Sequence, residues 1–384
     1  MNKSVFLGIK KGFDYCYNTN LPLPISKEYG LTCGSSGLIM AAYMLYRKTN
    51  DAYYEKCLES LVNKEIDRKV KDLSFGTGLV GFCFSLQWTE LMEDALCGQQ
   101  KEIETMICNY FLFDLYRFNL DYYRGASGTL LYLLSYIEEP KLVLLINDYV
   151  KAVDAFIDGD KKYREIKING RNNGMGVNFG TPHGLTGILL VLLKIYEKYK
   201  DSSVSNAISK VCDYIKGHMN NVGHWRFPSA VMAGGEKIES GICWCYGDLM
   251  IGYAFLKAGN CLLDKELSDI GLTTLRNCLR RLDYDKIKKS LCLCHGYSSL
   301  FQVLKHIYKI TGDVDFWNGS ENIRKNAEDM LTSSLSSLDD NKECSEDFTS
   351  FLNNSSMFFG MPGCIMSLLQ DDEEGSEWMN FLLL

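Results

Sequence analysis

Two kinds of apolar pattern alternate along the chain. Residues 38–45, 130–134 and 188–193 are apolar at nearly every position, whereas 51–66, 141–157, 204–219 and 267–282 carry apolar residues at helical spacing with charges between them. Leucine, methionine and alanine outnumber β-branched residues in the first kind. Those segments therefore read as buried helices, although short apolar runs alone do not separate helix from strand. Each turn of the alternation predicts a helix pair, one member apolar all round and one amphipathic.

A glycine pattern opens each apolar segment. Cys33-Gly34-Ser35-Ser36-Gly37, Thr77-Gly78-Leu79-Val80-Gly81, Arg124-Gly125-Ala126-Ser127-Gly128 and His183-Gly184-Leu185-Thr186-Gly187 are close copies. Looser copies follow at Tyr246-Gly247, His295-Gly296 and Phe359-Gly360, and only the last of these keeps a glycine three residues on. Glycines at a helix start let a neighbouring backbone approach closely. Seven such copies predict an all-α fold, an α/α toroid of seven inner and seven outer helices with the glycine-rich starts around one mouth. An open solenoid is the alternative. Residues 158–182 and 217–240, polar and glycine-rich, are expected as long loops over that mouth. No linker interrupts the pattern, so residues 1–384 are expected to form a single domain.

Charge and composition narrow the function classes. The 41 basic residues against 48 acidic ones give a net charge of −7, without a long basic run, which argues against a nucleic-acid partner. The longest apolar runs, such as 187–193, fall far short of the ~18–20 residues that span a bilayer. The N-terminal apolar stretch, 5–9, is shorter than the roughly 7–15 residues of a signal peptide. The expected location is the cytoplasm, where the 15 cysteines would be thiols.

The residue just before each first glycine varies informatively. His183 and His295, two of the five histidines, share this position, and Cys245 and Cys294 stand one residue earlier in their own copies. Cys245, Cys294 and His295 form a set of two sulfurs and one imidazole that suits zinc, three protein ligands leaving a fourth tetrahedral position open. The competing reading is a cluster of ordinary buried cysteines. Cys243 and Cys292, two residues before Cys245 and Cys294, suggest a closed four-thiolate site. Alternating cysteines on one segment point different ways, however, and such a site would leave His183 and His295 without a task.

Asp121-Tyr122-Tyr123-Arg124-Gly125, His183-Gly184, Trp244-Cys245-Tyr246-Gly247-Asp248 and Cys294-His295-Gly296 together resemble the lanthionine synthetase C-like family, the lantibiotic cyclases. The resemblance covers nearly the whole chain. It implies the toroid, one Zn2+ per chain on Cys245, Cys294 and His295, and addition of peptide cysteine thiols to dehydroalanine or dehydrobutyrine to close thioether rings. Only a few per cent of a thiol with pKa near 8.5 is thiolate at neutral pH, and a zinc site rich in cysteine raises that fraction while leaving the sulfur nucleophilic. His183 is implied as the general acid or enolate stabiliser, the alternative being a structural histidine. Asp121 is implied as its orienting partner or as acceptor of the thiol proton, the alternative being a carboxylate serving the helix start. Trp244 and Tyr246 are expected to line the substrate pocket, the alternative being packing.

The resemblance also implies partners. A dehydrated precursor peptide is the substrate, a separate dehydratase prepares it, and an exporter complex would attach the chain peripherally to the membrane. Two other readings stay open: an enzyme that adds glutathione to dehydroamino acids, and an inactive peptide-binding scaffold. One departure stands out. The family often carries arginine three residues before this tryptophan, and here the position is Gly241, leaving Arg226 or Arg124 as candidates for its task.

Overall fold

The repeated glycine is where the apolar helices begin. In the computed structural model, which describes residues 2–20, 30–32, 34–66, 72–168, 171–220, 223–282, 290–339, 346–370 and 376–384, Gly78, Gly125, Gly184, Gly247, Gly296 and Gly360 cap the helices Leu79–Trp88, Ala126–Tyr136, Leu185–Tyr199, Asp248–Leu262, Tyr297–Thr311 and Met361–Leu369. Ser35, after Gly34, caps Ser36–Thr49. Among the described residues, seven amphipathic helices alternate with them: Lys3–Asn20, Ala52–Ile66, Gln100–Tyr116, Glu139–Asp158, Ser202–Lys216, Lys265–Arg281 and Val314–Asp339. Leu185–Tyr199 buries every residue from Leu185 to Leu193, while Ser202–Lys216 buries one stripe, Val204, Ala207, Ile208, Val211, Cys212 and Ile215. Each large apolar side chain so buried contributes about 1.5–3 kcal/mol.

The two helix classes start differently. Asp201 and Asp264 cap the outer helices Ser202–Lys216 and Lys265–Arg281 with side-chain carboxylates. Three of the inner helices instead draw on backbone carbonyls seven residues upstream, with Leu79 donating to Asp72, Ala126 to Asn119 and Tyr297 to Ser290 at 2.8–2.9 Å. A tight turn therefore precedes each of these three helices. Gly184 shows why a side chain is excluded there, since a Cβ would run into the Asn178 carbonyl.

Backbone contacts divide the chain into two compact units, Met1–Ile103 with Lys288–Leu382 and Leu384, and Glu104–Ile287 with Leu383. In the first, Tyr297–Thr311 packs on Met361–Leu369, which packs on Ser36–Thr49, which packs on Leu79–Trp88. In the second, Ala126–Tyr136 packs on Leu185–Tyr199 and that on Asp248–Leu262. The turns before these helices are stitched together as well. Leu293 and Cys294 donate to the Phe358 carbonyl, Met357 to Leu31 and Thr32 to Gly76 in the first unit; Tyr123 donates to Pro182 and Thr181 to Cys245 in the second. The partners stand two or three residues before their repeat glycines, so the glycine register brings equivalent positions side by side.

The segments expected as loops carry a sheet. Strands β1 (Arg164–Ile168), β2 (Arg171–Asn178), β3 (Ala230–Met232) and β4 (Lys237–Ile238) pair antiparallel in that order, with a register irregularity between Glu165 and Lys167. Ile166, Ala230 and Met232 make a small core beneath it, joined by Ile238 and Tyr246. The helical expectation holds and the sheet is an addition to it. None of the described helices is long and apolar enough to cross a membrane.

Candidate functional site

In the second unit the stitched turns bring Asp121, His183 and the Cys245-Tyr246 segment together. His183 Nδ1 lies 2.7 Å from Asp121 Oδ2. The other carboxylate oxygen, Oδ1, accepts from the Arg124 amide at 2.7 Å. One oxygen of Asp121 thus serves the turn and the other meets the histidine. Burial works against a charged His183 ring, but the charge and hydrogen bond of Asp121 outweigh burial and the repulsion of Arg124, so its pKa lies above the ordinary histidine value. The ring keeps 41% of its side-chain surface and tilts against Tyr123, 5.3 Å between centroids.

A cavity of about 270 Å³ opens beside this pair, lined by Asp121, Arg164, Lys167, Asn178, His183 and Tyr246 among others. The Tyr246 hydroxyl sits 3.4 Å from Asn178 Nδ2 and 3.5 Å from the Lys167 carbonyl. Trp244 is only 1% exposed and is not among the residues lining this cavity.

The loop carrying Cys245 is closed by a bridge between Ile242 and Gly247. Gly247 has φ 105°, and a Cβ there would meet the Gly241 carbonyl, so glycine is required for the loop to turn into its helix. Cys243 lies with its sulfur 3.1 Å from the Tyr246 carbonyl and 3.5 Å from Cys245 Sγ. The neighbouring Cys245 sulfur and burial push the Cys243 thiol well up, and its S–H donates to the Tyr246 carbonyl. In the first unit, Cys294 and His295 occupy the turn before Tyr297–Thr311, where the Leu293 and Cys294 amides donate hydrogen bonds to the Phe358 carbonyl, and both are half-buried.

Two supporting residues escaped the sequence reading. The Asp248 carboxylate, fully buried, accepts from the Arg226 and Phe227 amides at 2.7–3.2 Å and pairs with Arg281 Nη1 at 2.5 Å. Arg281 Nη2 also donates to the Ser240 carbonyl at 3.0 Å, just before Gly241. Asp248 was visible as an acid after the motif glycine, but nothing local announced its partner on another helix. Arg226, a candidate for the missing arginine, puts Nη2 3.3 Å from the Met219 sulfur.

The profile of the family described as "Lanthionine synthetase C-like protein" matches residues 26–383. The chain belongs to this family. The chain is similar to the nisin biosynthesis protein NisC of Lactococcus lactis subsp. lactis, 24% identical over 379 residues, covering 89% of this chain and 85% of that protein. Among solved structures, nisin cyclase superposes with a TM-score of 0.78 at 20% identity, covering 100% of this chain and 98% of the other. That likeness shows the fold, the α/α toroid that the seven copies predict for a lanthionine synthetase C-like chain.

Proposed function

We propose that this protein is a lanthipeptide cyclase, closing thioether rings by adding cysteine thiols of a dehydrated precursor peptide to dehydroalanine or dehydrobutyrine. Membership in the lanthionine synthetase C-like family and the likeness to nisin cyclase support the reading. The observation that carries it is the Asp121–His183 pair at 2.7 Å on the wall of a cavity shared with Tyr246, next to Cys245.

Cys245, Cys294 and His295 are the proposed ligands of one Zn2+. Their donor chemistry fits: two soft sulfurs and one imidazole, three protein ligands that leave a place for substrate. Bound there, zinc would hold the substrate cysteine as a thiolate at neutral pH. Cys243, whose S–H donates to the Tyr246 carbonyl, is proposed to support a ligand sulfur rather than be one.

The protein's own groups account for the proton movements. Attack of sulfur on the β-carbon forms the C–S bond and moves an electron pair to an enolate, which takes a proton at the α-carbon. His183 donates that proton from Nε2 while its Nδ1–H stays bonded to Asp121, an arrangement that fixes which nitrogen faces substrate. The proton lost by the thiol restores the balance. Tyr246 is proposed to shape the peptide pocket, whereas Trp244, buried and outside the cavity lining, is assigned to packing. Dehydration of serine and threonine is assigned to a separate dehydratase, and the chain is proposed to act in the cytoplasm, with an exporter complex as a further partner.

The test is metal content beside ring closure. Wild-type protein purified under reducing conditions is expected to carry about one zinc per chain, lost in Cys245→Ala, Cys294→Ala and His295→Ala. A zinc-free wild type, or a zinc-loaded one that leaves a dehydrated peptide unchanged, would remove this reading.

A further inference from the structure

Strand β1 contributes a cation to the cavity that holds His183 and Asp121. The Arg164 guanidinium lies 5.6 Å from the Phe156 ring centre and ends at the turn leading to Asp121. There Nη2 donates to the Phe118 carbonyl, Nη1 lies 3.4 Å from Asn119 Oδ1, and Nε lies 3.4 Å from the Lys161 carbonyl. The planar fork of arginine suits three such acceptors, which a lysine ammonium cannot serve together.

The clamped turn is a demanding one. Phe118 has φ 55°, the left-handed region that aromatic residues avoid. Asn119 donates to Asp114 Oδ1 and to the Arg124 carbonyl, both at 2.9 Å, and its own carbonyl accepts from the Ala126 amide that opens the next helix. Asp121, two residues on, is therefore aimed by a turn whose unfavourable residue is held at its carbonyl by Arg164. Burial lowers the Arg164 pKa, while Asp121 and Asp114 act to raise it, and a guanidinium remains charged in such surroundings.

We propose that Arg164 is a positioning residue for ring closure: it clamps the Phe118–Asn119 turn so that Asp121 presents Oδ2 to His183 Nδ1. The role rests on the cyclase reading; the clamp rests on the hydrogen bonds alone.

The experiment compares Arg164→Met and Arg164→Lys, each alone and combined with Asp121→Asn, in the zinc-loaded full chain with a dehydrated peptide. Arg164→Met is expected to lower kcat roughly 10–100-fold, with KM and zinc content little changed. Arg164→Lys, which keeps charge and most of the volume, should recover only a minor part, and it serves the comparison if the methionine variant does not fold. In the Asp121→Asn background either change should cost less than about twofold more, because the group being aimed is gone. Equal losses in both backgrounds, or full activity of Arg164→Lys, would overturn the proposal. An independent readout is the tautomer of neutral His183 from ring ¹⁵N shifts, Nδ1–H in the wild type and shifted toward Nε2–H in Arg164→Met. An unchanged tautomer would sink the clamp itself, whereas absence of ring closure by the wild type would sink the cyclase reading without touching that measurement.

Discussion

Asp121→Asn is the most direct probe of the proposed proton-transfer pair. The substitution keeps the shape of the side chain but removes the charge 2.7 Å from His183 Nδ1. A hydrogen bond to a charged group is worth about 1.5–3 kcal/mol when sheltered. His183 keeps 41% of its side-chain surface, and solvent screening reduces the charge contribution to about 1 kcal/mol, near fivefold in imidazolium population. Loss of the fixed ring orientation adds to this, so kcat should fall by roughly 10–100-fold in total. The sign in pH follows from the direction of the shift. Asp121 lifts the His183 pKa against burial, and a general acid works below its pKa and fails above it, so the variant's alkaline limb should move to lower pH. Rates of ring closure measured against pH, beside the His183 Hε1 titration by NMR, check both statements. An alkaline limb that stays in place or moves upward would refute the assignment of His183 as the acid held by Asp121.

Cys243→Ser and Cys292→Ser should each retain about one zinc per chain, since neither sulfur belongs to the proposed ligand set; metal loss in either would favour a closed thiolate site. Asp248→Ala should cost about 3–5 kcal/mol in urea unfolding, because Arg281 would lose a partner that is itself fully buried; a loss under about 1 kcal/mol would show that water reaches the pair. Gly247→Ala should destabilise by about 1–3 kcal/mol and lower zinc content, since φ 105° is strained for alanine and the displaced loop carries Cys245; a normal metal content would separate the loop from the ligand set. Exchange of the β1–β2 hairpin with that of a related cyclase should alter the range of peptides accepted while zinc content stays constant, and unchanged selectivity would remove the sheet from substrate choice.

What could be read ahead of the structure was whatever the repeat expresses locally. The glycine at 184 must be small because a carbonyl six residues back lies where its Cβ would be, so the requirement is written within one short segment. The turn-to-turn hydrogen bonds then act at equivalent positions, which is why reading the residues before the glycines found His183 and Cys245 although they are far apart in sequence. The features that escaped have no such local expression. Strand β2, Arg-Asn-Asn-Gly-Met-Gly-Val-Asn, has the composition of a loop and becomes a strand only by pairing with β1 and β3, and the sheet is completed by packing on Tyr246. Asp248 meets Arg281 33 positions away and Arg164 meets Phe118 46 positions away, pairings that depend on how helices and strands pack rather than on any spacing. The residues that would do chemistry recur with the repeat because they stand on its turns, and the residues that hold those turns do not. A substitution such as Gly241 for arginine can therefore be read in the sequence as a loss, whereas the arginine that lines the cavity, Arg164, lies on an added strand that the repeat does not contain.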